Sequence, residues 1–64
     1  MFYVYSESDD LNSYPWFSSD SLEQAVDWGK LNAAREKWIN WRVETFQFRV
    51  VYRNEDGKET YTYS

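Results

Sequence analysis

The residues of this chain that could do chemistry are carboxylates, hydroxyls, amines and phenols, for its 64 residues include no Cys and no His. Glu7, Asp9 and Asp10 cluster near the N-terminus, and Asn54-Glu55-Asp56-Gly57-Lys58-Glu59 crowds acids around a glycine. Oxygen ligands of this kind suit hard cations. Neither run, however, has the twelve-residue spacing and closing Glu that build a calcium loop. Without thiolates or imidazoles, zinc sites are excluded too. A Ser or Thr nucleophile lacks an imidazole to activate it, and Gly-x-Ser-x-Gly is absent. Paired carboxylates run acid–base chemistry only across a formed cleft, for which so short a chain has little room. No glycine-rich phosphate loop exists, since the two glycines have other work in a helix and a turn. The expectation is a protein that is not an enzyme and holds neither metal nor cofactor.

What remains is the chemistry of recognition. Aromatic residues make up 22% of the chain: four Trp, six Tyr and four Phe. A small domain without staples draws most of its burial from such side chains, yet a core of this size cannot enclose all of them. The surplus belongs on the surface, where Trp and Tyr are typical contact residues. Charge is uneven as well. Residues 1–27 carry six acids and no Lys or Arg, whereas residues 28–64 carry five acids and seven bases; the net charge is -4. Such asymmetry points to a charged partner, although acids also favour a helix N-terminus.

These two signals meet at Tyr14-Pro15-Trp16-Phe17, where three aromatics surround the only proline in an otherwise polar stretch. Trp16 or Phe17 can fold back as a plug at the end of a sheet. Alternatively, the segment is an exposed anchor, stiffened by proline and flanked by Asp9, Asp10, Asp20 and Glu23. Trp28 and Trp38 lie off the apolar stripe of the helix described next, so at least one is expected to be partly exposed or to bury against the helix–strand connection.

The elements that must position these residues follow from periodicity. Met1–Ser6 reads as a strand with bulk on both faces. Residues 7–19, rich in Ser, Asp and Asn, read as a loop. Ser21 with Gln24 fits a capping box, and Leu22, Ala25, Val26, Gly29 and Ala33 share one helical face, predicting a helix from about Ser21 to the mid-thirties. The small residues Gly29 and Ala33 would let this helix sit close over large aromatics. From about Arg42 the period becomes two. Phe46, Phe48, Val50 and Tyr52 then share one face of a strand, and Thr45, Gln47, Arg49, Val51 and Arg53 the other. Asp56-Gly57 closes a hairpin to a last strand of about Lys58–Tyr63. The expected fold is α+β: a single domain over residues 1–64, β-α-β-β, with one helix on a three-stranded antiparallel sheet. The preferred order places the third strand between the first two; the alternative centres the second strand, parallel to the first.

The leading functional expectation is a binding protein that inhibits or redirects a larger partner. An acidic face can imitate a phosphate backbone or occupy a basic nucleic-acid channel. On this reading Glu7, Asp9, Asp10, Asp20, Glu23 and Asp27 supply the charge, and Tyr14, Trp16, Phe17 and Trp28 the contacts. In size, acidity and lack of catalytic residues, the chain resembles the small inhibitors that bacteriophages make against host polymerases, nucleases and CRISPR effectors. That resemblance is one of type and implies a role for no particular residue. Two alternatives stand beside it. One is a single-strand nucleic-acid binder using Arg49, Arg53 and Gln47 on an open sheet face, against which stands a pI near 4.5. The other is a homodimer that buries its surplus aromatics against itself. No apolar run approaches the roughly 20 residues that cross a bilayer, and the N-terminus lacks the basic start of a leader. The expected location is the cytoplasm, that of the host if a phage encodes the chain.

Overall fold

Trp41 and Tyr52 are the largest fully buried side chains, and the fold is arranged to cover them. The computed structural model describes residues 1–7 and 14–62. In chain order these form β1 (Phe2–Ser6), β2 (Phe17–Ser19), α1 (Leu22–Glu36), β3 (Asn40–Thr45), β4 (Val50–Glu55) and β5 (Lys58–Tyr61). The five strands make one sheet in the order β2-β1-β3-β4-β5, with every neighbouring pair antiparallel. The α+β class and the single helix therefore stand. The expected β-α-β-β order with three strands is corrected to β-β-α-β-β-β with five.

Both additional strands have a local cause. Phe17–Ser19 lies in the stretch read as a loop, and its three residues pair with Phe2–Val4 of β1. This short strand reverses the chain before the helix, so α1 carries it back to start β3 antiparallel to β1. β2, α1 and β3 thus form a split βαβ unit with β1 between its strands. That geometry overturns both expected strand orders, because β3 occupies the centre and the last strand, β5, lies at the edge.

The second correction concerns residues 42–53, expected to be one strand. They fold into a hairpin at residues 46–49. Thr45 N–H donates to Arg49 O at 2.9 Å and Phe48 N–H to Thr45 O at 2.9 Å, while Gln47 N–H donates to Thr45 Oγ1 at 3.3 Å. The turn needs a left-handed residue, and Phe48 supplies it at φ 61°. This conformation costs a non-glycine residue about 1 kcal/mol. Without Gly, Asn, Asp or Pro, the segment displays no turn signal. Val43 pairs with Tyr52 but Glu44 with Val50, so Val51 is an inserted bulge residue. The bulge breaks the expected alternation. Val50 shares the face of Glu44 and Tyr3, while Tyr52 shares that of Val43 and Val4.

α1 begins at Ser21, whose side chain accepts the Gln24 N–H, and ends at Lys37 in the left-handed conformation with φ 60°. Trp38 N–H closes the end on Ala33 O at 2.9 Å. The helix packs on β1, β2 and β3. Ala25, Val26 and Ala33 join Val4, Trp41, Val43 and Tyr52 in the core. Asp56 at φ 52° and Gly57 at φ 85° make the expected tight turn between β4 and β5. α1 is not long and apolar enough to cross a membrane.

Candidate functional site

Glu23 and Asp27 stand one turn apart on α1, and both are exposed, as is Asp20 just before the cap. The next base along the helix, Lys30, is held by Glu59 at 2.6 Å. Glu7 lies elsewhere, just beyond β1. Its N–H donates to Asn40 O at 3.1 Å, and its carboxylate lies 3.5 Å from Arg42 Nη1. Asp9 and Asp10 lie outside the described residues.

The aromatic candidates divide in the same way. Phe17, on β2, stacks on Trp28 of the helix with centroids 4.7 Å apart and planes 7° from parallel. Both rings pack half-buried against the core and hold the edge strand to α1. Trp16 meets Trp38 edge-on at 5.1 Å, its backbone N–H donates to Val4 O at 2.9 Å, and 46% of the residue is exposed. Tyr14 is 92% exposed. Trp38 follows the C-terminal end of α1, whereas Asp20 and Glu23 mark its N-terminal end, and the three residues of β2 run between Trp16 and Asp20.

The period of two predicts Phe46 and Phe48 on one face of a strand, together with Val50 and Tyr52. Instead they stand at the β3–β4 tip, the latter 82% exposed. With Tyr3, Tyr5, Pro15 and Thr45 they line a cleft of about 160 Å³ on the side of the sheet away from the helix. The signal that could have revealed them was the pairing of two phenylalanines across one polar residue, which also suits a strand. Beside the cleft, the Arg42 guanidinium lies 5.0 Å over the Tyr5 ring and is bound by Glu44, with which it shares an ion pair. Burial, and then the Glu44 charge, push the Tyr5 phenol above its ordinary pKa.

A polar network ties the helix to the outer strands on the other face. Tyr52 OH donates to Glu59 Oε1 at 2.9 Å, Asn54 Nδ2 donates to Tyr52 OH at 3.1 Å, and Gly57 N–H donates to Asn54 Oδ1 at 3.1 Å. The Lys30 ammonium, and then the Tyr52 hydroxyl, hold the Glu59 carboxyl below its usual pKa. Burial first, and then Glu59 against the opposing Asn54 hydrogen bond, push Tyr52 up to about 12. Among the described residues, no three acidic side chains stand together as a metal site would require. The chain matches no protein-family model, no curated protein and no solved structure, so its surfaces carry the functional argument.

Proposed function

We infer that the protein is a non-catalytic binding protein of the host-directed inhibitor type. It docks on a larger nucleic-acid-handling protein in the cytoplasm and inhibits or redirects it. Its carboxylates meet Lys and Arg groups that the partner otherwise uses for phosphates. The observation that carries this reading is the acidic side of the helix start. Asp20, Glu23 and Asp27 are all exposed there, in a segment of 27 residues without one Lys or Arg. Tyr14 and the exposed part of Trp16, just before β2, offer apolar contact. The single-strand-binding alternative has less support, because the pI is near 4.5 and, of its three residues, Arg53 stands 4.0 Å from Glu55.

The test is displacement of a labelled oligonucleotide from purified polymerases, nucleases and CRISPR effectors with basic channels. Displacement that weakens as salt rises, and that falls at least about tenfold in the triple variant Asp20→Asn, Glu23→Gln, Asp27→Asn, is expected. Direct binding of the oligonucleotide by this chain, or no displacement from any of these proteins, would reject the reading.

A further inference from the structure

We propose that the helix-free face of the sheet is a homodimer interface in which Phe48 of each copy enters the aromatic cleft of the other. The inference does not depend on the inhibitor reading. Phe48 is the starting point. It stands 82% exposed in a left-handed conformation that glycine or asparagine would adopt with less strain, so no folding requirement explains a phenylalanine there. Phe48 is itself one wall of a cleft of about 160 Å³, whose other walls are Tyr3, Tyr5, Pro15, Thr45 and Phe46. Each copy thus carries both an aromatic knob and a cleft lined by rings, the self-complementarity that a two-fold interface requires.

Charge and area both favour a second copy as the occupant. A chain of net charge -4 repels itself in general. Here the exposed acids Glu23 and Asp27 belong to the helix layer on the opposite side, and on the sheet face Arg42 is matched by Glu44 and Glu7. Two copies can therefore meet sheet to sheet with their acidic helices outward. The molecule measures 27 × 24 × 17 Å, and no element among the described residues packs on the helix-free face. A side of this breadth approaches the roughly 800 Å² per partner that a standard interface takes, and face-to-face sheets pack about 10 Å apart.

Light scattering coupled to size exclusion, run over a dilution series, tests the assignment. The wild-type chain should show twice its 7.8 kDa mass at high concentration and dissociate on dilution. Phe48→Gly suits the backbone of the turn and keeps the fold, so its circular dichroism should be unchanged while its dimer dissociation constant rises at least about tenfold. Phe46→Ser should act in the same direction, and Glu23→Gln on the helix should leave the mass unchanged. A wild-type chain that stays monomeric at every concentration overturns the proposal, as does a dimer that Phe48→Gly and Phe46→Ser both leave intact. Phe48-dependent binding of a monomer to an oligothymidine or to a neutral lipid vesicle would assign the face to another occupant and overturn it equally.

Discussion

Gly29 lies directly against the indole of Trp41: a Cβ built at position 29 would sit 2.2 Å from Trp41 Cζ3 and 2.5 Å from Cη2. No side chain fits there. The absence of a Cβ sets how closely α1 approaches the sheet, and that approach seals Trp41 at 2% exposure. The conformational cost of a glycine within the helix is offset by this packing.

Gly29→Ala is therefore expected to destabilise the protein by about 1–3 kcal/mol, although alanine favours helix by about 1 kcal/mol over glycine. Urea unfolding measures the loss. In Trp41→Phe, which removes the outer ring, the same Gly29→Ala change should cost less, and a double-mutant cycle would report the coupling. A purely additive cycle would show that the clash is relieved elsewhere.

At the far end of the helix, Lys37 holds a left-handed φ of 60° where glycine is the usual residue. Lys37→Gly should raise stability by roughly 0.5–1 kcal/mol, while Lys37→Ala should not. Thermal melting of the two variants side by side distinguishes relief of the backbone from loss of the charge.

Trp16→Ala tests the segment that combines plug and anchor. The residue is almost half exposed and meets Trp38 edge-on, so truncation should cost about 2 kcal/mol of folding stability, less than the 3–5 expected of a fully enclosed Trp. Loss of the whole fold would show that Trp16 acts mainly as a plug. An unchanged melting temperature would show that the pair with Trp38 contributes nothing to folding.

The Tyr52 phenol, pushed up to about 12, links stability to alkaline pH. An unfolded Tyr ionises near 10, so above that pH the unfolded chain sheds a proton that the folded chain retains. The stabilisation is full below about pH 10 and is lost as pH rises towards 12, a change on the order of 2 kcal/mol. Phenolate absorbance should show one of the six tyrosines ionising well after an ordinary one. Glu59→Gln removes the carboxylate that accepts the phenol proton, and should lower that late midpoint without returning it to 10, because burial persists.

Much of the architecture was legible in the residues. Ser21 and Gln24 marked the helix start, the Gly29–Ala33 stripe marked its buried face, and Asp56-Gly57 marked a hairpin, because capping and positive φ are local demands met by particular side chains. The β3–β4 turn was illegible for the same reason. Its left-handed position is held by Phe48 and its strand break by a Thr45 hydroxyl, so no turn-forming residue announces it. β2 was hidden by its brevity, three residues of which two are serines.

The acidic bias of residues 1–27, the lack of imidazole and thiol, and the aromatic surplus are properties of composition, and the sequence by itself determined them. Which aromatics are enclosed was decided only in three dimensions. Phe17 and Trp28 stack together, Tyr52 lies 5.0 Å from Trp41 in the core, and Phe46 and Phe48 remain outside. The physical reason is the β4 bulge and the reversal made by β2. A single inserted residue exchanges the faces of a strand, and a short strand reverses the direction of everything after it. Neither effect is contained in the hydropathy of the residues that produce it; both depend on which strand lies alongside.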